Sequence, residues 1–137
     1  MRIIELSGVY PPIIGGLEKA VEAFAGALSK RGHSVIVVTL AHGREAEVTE
    51  ERGVAIHRLA GWNTHMGRFY LDASRQFAPP CPDPGAVSGI RQLINSFRPD
   101  VIHAHDWMVY SALAARGRNG PRVVLSLHDH GLICVKR

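Results

Sequence analysis

The chain has 137 residues, of which 46% are hydrophobic and 20% are charged, and its formal net charge is +4. This size and composition suit one globular domain with its own core and exclude a disordered chain. No stretch approaches the roughly 18 consecutive apolar residues that a membrane-spanning helix needs. The basic residues are scattered, which argues against a nucleic-acid partner and leaves peripheral contact with an anionic membrane as an alternative to an ordinary solvated surface.

The N-terminal segment and the cysteines indicate the cellular compartment of the protein. The segment Arg2-Ile3-Ile4-Glu5-Leu6 carries charge and is too short for the apolar core of a signal peptide. Cys81 and Cys134 form no CxxC pair and are too few for a disulfide framework, so we expect both to be reduced and packed. These features predict a cytoplasmic protein.

Strand and helix patterns alternate along the chain. Apolar runs, several of them rich in β-branched residues, predict strands at residues 3–6, 34–40, 54–59, 101–105 and 122–128. Apolar stripes predict helices at residues 17–31, where Phe24 is one of the stripe residues, at 84–97 and at 107–116. Asp83 is expected to cap the second helix, with Pro84 as its first residue. The proline-rich stretch 61–85 is predicted to be a long irregular loop.

This alternation predicts an α/β fold, a Rossmann-like parallel sheet with helices on both faces. The expected strand order is 3-2-1-4-5, and ligands bind such sheets beyond the carboxyl ends of the strands, where the order reverses. Three loops should therefore meet at one edge: residues 7–16, Asp106-Trp107 and residues 129–131.

A pair of glycines precedes the first helix. Gly15 and Gly16 would let backbone amides approach an anion closely, and the helix N-terminus adds partial positive charge. A phosphate-binding turn and an ordinary tight turn both fit this pair. The segment is neither GxGxxG nor GxxxxGK[ST], which argues against a dinucleotide fingerprint and a P-loop.

Histidines follow two of the predicted strands. His103 and His105 alternate on one strand and so share a face. His103 is interpreted as a hydrogen-bonded core residue, whereas His105 and His128 lie at strand ends, where they could bond a ligand hydroxyl. A zinc site, as in a zinc hydrolase, would need convergent ligands that this pattern does not guarantee, so no metal is expected.

The aromatic residues and the remaining motifs limit the kinds of reaction that the chain could catalyse. Trp107 and Tyr110 fit the core of the last helix, and the alternative is an aromatic surface offered to an acceptor. Because the chain has no nucleophile elbow of the Ser-His-Asp type, a hydrolase is not favoured.

Three segments together resemble the family-4-type retaining glycosyltransferases. The first is the opening of the chain, with Tyr10-Pro11-Pro12, Gly15-Gly16-Leu17-Glu18 and residues 28–35. The second is the run at residues 98–107. The third is Leu127-His128-Asp129, continuing to Cys134. The resemblance covers nearly the whole chain except residues 61–85. It implies a GT-B fold, in which two Rossmann-type domains face each other across a cleft.

The resemblance also implies roles. The N-terminal domain would hold a sugar or lipid-linked acceptor, and the C-terminal domain a nucleotide-sugar such as a UDP- or GDP-sugar. Gly15 and Gly16 match the glycine loop against the donor diphosphate, and His128 matches the active-site histidine. The expected acceptor- or sugar-binding residues are Tyr10, His105, Asp106, Trp107 and Asp129. Transfer would retain the anomeric configuration by a front-face route, without a metal or another cofactor.

The sequence departs from the family pattern at its end. No second Rossmann half, Arg/Lys pair for the diphosphate or Glu-x7-Glu segment follows His128. We therefore expect residues 1–137 to be a single N-terminal acceptor-side domain, a fragment without the C-terminal donor-binding domain. Such a domain should be inactive alone, require that domain in cis or in trans, and self-associate through its uncovered cleft face. The alternative is a non-catalytic Rossmann-like module that binds a ligand or a partner.

Overall fold

The computed structural model describes residues 1–12, 15–41, 46–62 and 81–128. Its elements, in chain order, are β1 (Arg2–Leu6), α1 (Gly16–Lys30), β2 (Ser34–Leu40), β3 (Glu47–Glu51), β4 (Val54–Leu59), α2 (Pro84–Phe97), β5 (Val101–Ala104), α3 (Val109–Arg116) and β6 (Arg122–Leu125). Most of the predicted loop at 61–85 lies outside the described residues, as do Asp129 and Cys134.

The described strands form a six-stranded sheet with the order β3-β4-β2-β1-β5-β6. β4, β2, β1, β5 and β6 pair in parallel, and they are the five strands that the sequence predicts. Their spatial order confirms the predicted 3-2-1-4-5 arrangement. The order reverses between β1 and β5, which places the expected ligand edge at the carboxyl ends of these two strands.

The edge strand β3 was not predicted, and it makes the sheet mixed instead of wholly parallel. It pairs antiparallel with β4 through a two-residue turn at Arg52 and Gly53, where φ is 52° and 77°. Positive φ at both turn residues is what a type I′ hairpin requires. The segment Glu47–Glu51 lacks alternating apolar residues, and its burial pattern is almost entirely exposed. Hydrophobic periodicity therefore gives no signal for this strand.

Helices cover both faces of the sheet, as predicted. The core on the α1 face consists of Ile3, Tyr10, Val21, Ala25, Val35, Val37, Val54 and Ile56. The core on the α2 and α3 face includes Ile4, Leu6, Ile36, Val38, Leu40, Ile90, Ile102, Ala104 and Met108. Each fully buried Val, Ile or Leu side chain contributes about 1.5–3 kcal/mol relative to exposure. The middle strands are apolar throughout because both of their faces are covered.

The start of α2 confirms the predicted cap. Asp83 accepts hydrogen bonds from the backbone amides of Gly85 at 2.8 Å and Ala86 at 3.1 Å, and Pro84 is the first helical residue. Asp83 also accepts from the amide of Trp62 at 2.6 Å, which ties the end of the β4 loop to α2. The carboxylate satisfies amides that would otherwise have no partner in the first turn.

Several predicted details are wrong. Phe24 does not belong to the buried stripe of α1: its exposed fraction is 45%, and Ala25 faces the core in its place. α3 begins at Val109 instead of Trp107, and the residues before it form a turn in which the carboxylate of Asp106 accepts the Met108 amide. Cys81 is exposed and not packed.

The ends of β5 and β6 also differ from the prediction. β5 ends at Ala104 and β6 at Leu125, so the predicted strands at 101–105 and 122–128 are too long.

In the described part of the chain, no helix combines the length and apolar character needed to cross a membrane.

Candidate functional site

Asp106 joins two of the loops at the carboxyl edge of the sheet. Its carboxylate accepts a short hydrogen bond from the Gly8 amide and one of 3.3 Å from the Ser7 hydroxyl, both in the loop after β1. It also accepts from the Met108 amide at 2.8 Å, in the turn after β5. The predicted convergence of these two loops is therefore observed. Burial raises the pKa of Asp106 above its ordinary value, and the hydrogen bonds from Met108 and Gly8 offset only part of that rise.

The two glycines at the start of α1 have different surroundings. Gly15 is the N-cap in an extended conformation, and among the described residues no side chain makes a capping hydrogen bond to the helix. A methyl group added to Gly15 would collide with the carboxylate of Glu18, whereas one added to Gly16 would meet no atom within 4 Å in the described structure. Within the described part of the chain the amide tip of α1 thus lies beside open space at Gly16, which is compatible with a phosphate-binding turn.

Three histidines and a buried glutamate form a second group at this edge. Oε2 of Glu5 in β1 lies 2.6 Å from Nε2 of His105 and 3.0 Å from Nδ1 of His103. Beyond them, His103 Nε2 lies 2.8 Å from the hydroxyl of Ser126, and His105 Nδ1 lies 2.9 Å from Nε2 of His128. The loop after β6 therefore joins the same edge, through histidines on the α1 face of the sheet.

The register of β1 and β5 explains this contact. Glu5 pairs with His103 directly across the two strands, so both side chains point to the α1 face, and His105 follows two residues later. The ring of Phe24 in α1 lies 5.7 Å from that of His103 and 5.9 Å from that of His105, centroid to centroid. Phe24, exposed though it is, covers the histidine rings.

The carboxyl of Glu5 is fully buried, and its charge depends on the histidines. Burial alone would raise the pKa of Glu5, but hydrogen bonds from His103 and His105, together with their charges, lower it below its ordinary value. The side chain of Glu5 has no exposed surface, so an unpaired carboxylate there would be strongly destabilising.

The same group has the atom types of a metal site. One ligand atom each from Glu5, His103 and His105 lie within 4.8 Å of one another. Each carboxylate oxygen and each ring nitrogen of the three side chains has a hydrogen-bonding partner within the protein. An ion would therefore have to displace protons that already satisfy these groups.

Other predicted site residues lie elsewhere or serve the fold. Tyr10 is 2% exposed in the core of the α1 face, and burial, with the charges of Glu51 and Glu22, raises its pKa to about 12. Trp107 is half-buried, packs against the core of the α2 and α3 face, and stacks on Tyr110 with the ring planes 15° apart. Asp129 lies outside the described residues.

His105 and Glu5 show what sequence reasoning missed. His105 was expected to meet a ligand, but its side chain is fully buried against Glu5, and the exposed member of the group is His128. Glu5 was not expected to belong to a site. One signal could have found it, since a carboxylate inside an otherwise apolar buried strand needs a partner, and the paired histidines offer one.

The fold and this edge define a Rossmann-like α/β domain, a class of domain in which ligands bind beyond the carboxyl ends of the strands. The chain belongs to the family described as "Glycosyl transferase 4-like domain", which matches residues 15–136. This membership confirms the resemblance to the N-terminal, Rossmann-like half of a GT-B glycosyltransferase.

Curated relatives are longer than this chain. A glycogen synthase of Mycobacterium tuberculosis (strain CDC 1551 / Oshkosh) is 31% identical over 131 residues, covering 80% of this chain and 28% of the relative. A glycogen synthase of Rhodopseudomonas palustris (strain HaA2) is 26% identical over 88% of the chain and 25% of its own length. An uncharacterized 42.6 kDa protein in the cps region of Klebsiella pneumoniae is 40% identical over 49% of this chain and 18% of its own. The chain thus spans about a quarter of the glycogen synthases that it matches.

Proposed function

We propose that this domain is the acceptor-side half of a retaining glycosyltransferase. It positions an acceptor hydroxyl against a nucleotide-sugar, a UDP- or GDP-sugar, whose base and ribose are held by a second, C-terminal domain in cis or in trans. On its own the domain lacks those contacts and does not complete the transfer. The acceptor is a sugar or a lipid-linked sugar, and the glycogen synthases among the relatives favour a saccharide.

The observation that carries this proposal is the uncapped amide tip of α1 beside open space at Gly16. The first turn of a helix has amides without intrahelical partners, and an anion such as a diphosphate can satisfy them. In α1 no side chain makes a capping hydrogen bond, and the nearest acidic group, Glu18, lies against Gly15 and not over Gly16. Free first-turn amides and the absence of described atoms within 4 Å of a methyl group at Gly16 support the proposal that a donor diphosphate binds at this tip.

His128 supplies the second element of the site. It lies just beyond β6, is exposed, and is held by His105 at 2.9 Å. In the proposed reaction the acceptor oxygen forms a bond to the anomeric carbon on the face from which the phosphate oxygen departs. The proton of the acceptor hydroxyl passes to that phosphate. The residues of this domain contribute position and hydrogen bonds, which suits a reaction that needs neither a metal nor another cofactor from the protein.

The test is Gly16→Ala in the protein that carries both domains, with Gly26→Ala as the matched control. Both glycines lie in α1, and an added methyl group would meet no atom within 4 Å at either position in the described structure. Both variants should fold with stability equal to or up to about 1 kcal/mol above the parent, because alanine is the better helix former. Only Gly16→Ala should place its methyl group where the diphosphate lies.

We expect Gly16→Ala to lower transfer from UDP-glucose or GDP-mannose, whichever the parent uses, by about a hundredfold, and Gly26→Ala to leave it unchanged. A Gly16→Ala variant that is as stable and as active as the parent contradicts the proposal. That result would favour the alternative, a non-catalytic Rossmann-like module that binds a ligand or a partner. We place the protein in the cytoplasm, with contact to the membrane surface where the acceptor is lipid-linked.

A further inference from the structure

We propose that Glu5 is a positioning residue that acts through His105 to fix which ring nitrogen of His128 carries its proton. The inference rests on the proposed function, in which His128 belongs to the site, and it takes the imidazole of His128 to face the transferred sugar. Glu5 itself touches no substrate. Its role is to fix whether His128 donates a hydrogen bond to the sugar or accepts one from it.

The three side chains form a line from the interior to the surface. Glu5 and His105 are fully buried, and His128 is exposed. The contacts along the line are 2.6 Å from Glu5 Oε2 to His105 Nε2 and 2.9 Å from His105 Nδ1 to His128 Nε2. At these distances each pair is hydrogen-bonded, and each bond contains one proton.

The chemistry of the groups assigns those protons. A carboxylate only accepts hydrogen bonds, so the proton between Glu5 and His105 belongs to Nε2 of His105. A neutral imidazole with a proton on Nε2 has a bare Nδ1, so Nδ1 of His105 accepts and Nε2 of His128 donates. Neutral His128 is then protonated on Nε2 and bare on Nδ1. Its Nδ1 can only accept, as it would from a sugar hydroxyl or from a backbone or side-chain donor.

The charged and titratable neighbours of His105 are few among the described residues. Glu5 faces it from β1, His103 lies beside it on β5 with ring centroids 4.1 Å apart, and His128 approaches from beyond β6. Asp106, the next residue, interacts with His105 through its charge. From α1 the ring of Phe24 covers His105. Of these groups, only Glu5 both contacts His105 Nε2 and lacks a proton to donate.

A parallel branch from the same carboxylate provides a control. His103 also contacts Glu5, at 3.0 Å, but its other nitrogen lies 2.8 Å from the hydroxyl of Ser126 instead of another imidazole. Ser126→Ala removes a hydrogen bond from this buried group without touching the line to His128. If the proton position on His128 depended only on general order in this group, both changes would alter it; if it depends on Glu5, only substitutions of Glu5 should alter it.

The first measurement uses the unaltered two-domain protein. Nitrogen-15 NMR of the imidazoles at about pH 8, where histidines are mostly neutral, reports which nitrogen of each ring is protonated. We expect His105 and His128 both to be protonated on Nε2. A spectrum in which His128 is protonated on Nδ1 overturns the proposal without any substitution.

The second measurement uses Glu5→Leu, Glu5→Gln and Ser126→Ala. Glu5→Leu removes the acceptor, so His128 should become a mixture of both protonated forms and kcat should fall about 10- to 100-fold, as for other residues that orient a functional histidine. KM for the nucleotide-sugar should change much less. Glu5→Gln keeps an oxygen that can accept from His105, so it should restore most of the parent's proton position and kcat. Ser126→Ala should retain both.

The outcomes separate this proposal from the proposed function. Activity that survives His128→Ala refutes the role of His128 at the sugar, whatever the NMR spectra show. If His128→Ala abolishes transfer but folded Glu5→Leu keeps the parent's proton position or its kcat, the positioning role of Glu5 is refuted. If Glu5→Leu does not fold, the spectrum of the unaltered protein and the behaviour of Glu5→Gln still decide the question.

Discussion

Glu5 and His105 are 100 positions apart in the chain, yet Glu5 Oε2 and His105 Nε2 lie 2.6 Å apart with both side chains fully buried. This contact has a consequence for stability as a function of pH. The pKa of Glu5 is lower in the folded protein than its ordinary value of 4.5, despite its burial, because His103 and His105 stabilise the carboxylate. The charged form therefore stabilises the fold above about pH 4.5, and this contribution is lost as the pH falls through the lowered pKa.

Glu5→Gln should accordingly lower the free energy of unfolding at neutral pH by about 1–3 kcal/mol, the usual loss for a hydrogen bond to a charged group. Urea denaturation of parent and variant at several pH values measures the difference. The two curves should converge below pH 4.5, since the parent then loses the same charge. Glu50→Gln, on the exposed face of β3, is the control and should change little at any pH. A difference that grows on acidification would contradict the assignment.

Asp106 gives a second prediction, which concerns the loops after β1 and β5 at the carboxyl edge of the sheet. Its two oxygens accept from the Gly8 amide and the Ser7 hydroxyl on one side and from the Met108 amide on the other. In Asp106→Asn the amide nitrogen must face a backbone donor on one of these sides. We expect a loss of about 1–3 kcal/mol in the free energy of unfolding, because a buried donor is left without a partner.

Hydrogen exchange at Gly8 and Met108 measures this effect locally, and both amides should exchange faster in Asp106→Asn. Asp100→Asn is the matched control: Asp100 is exposed and accepts one bond, from the Arg2 amide at 2.7 Å, so water can replace it. Unchanged exchange at both Gly8 and Met108 would show that Asp106 does not hold the loops together.

The sequence predicts the sheet better than it predicts the site. Strand order and the cap at Asp83 follow from local patterns, namely alternating apolar segments and an Asp-Pro pair before a helix. The sequence does not predict β3, because the pairing of this strand depends on the turn at Arg52 and Gly53 and not on apolar periodicity. Local sequence patterns indicate most of the strands and helices. They do not indicate which side chains contact each other across the sheet.

The site shows this limit most clearly. That His103 and His105 share a face follows from strand geometry, but their contact with Glu5 depends on the register between β1 and β5. Tyr10 looks like a loop aromatic in sequence, yet it enters the core beside α1. The convergence of the loops after β1, β5 and β6 is predictable from the topology, and which of their residues face ligand is not.

Arg58 provides a third prediction, for the edge strand and the loop that leads to the glycines. It is 8% exposed and donates to the Thr49 hydroxyl in β3 at 2.6 Å and to the carbonyl of Pro11 at 3.0 Å. Lysine cannot make both bonds in the geometry of a planar guanidinium. Arg58→Lys should lower the free energy of unfolding by about 1–3 kcal/mol and speed hydrogen exchange in β3.

Arg91→Lys serves as the control for Arg58→Lys, because Arg91 is exposed and, among the described residues, donates one bond of 3.3 Å, to the carbonyl of Ala114. It should leave both the free energy of unfolding and the exchange of β3 unchanged. Equal effects of the two substitutions would mean that Arg58 does not anchor β3.

The last prediction concerns association through the β6 side of the sheet. Val124 is 49% exposed and Leu127 is 55% exposed, and Phe24 adds apolar surface on the same α1 face. In the described structure α1 is the helix on this face; it packs mainly against β1, β2 and β4 and reaches β5 through the ring of Phe24 over His103, while Val124 on β6 stays half exposed. Apolar area of this kind favours contact with a second molecule or domain.

We therefore expect the isolated domain to self-associate, and Val124→Thr combined with Leu127→Lys to weaken association without loss of secondary structure. Light scattering over a wide concentration range measures it. Val48→Thr combined with Leu113→Lys is the control, since Val48 is 64% exposed on β3, at the opposite edge of the sheet, and Leu113 is 50% exposed on α3, a helix of the other face. If the domain is monomeric throughout, or if both pairs of substitutions act equally, the β6 surface is not where association occurs.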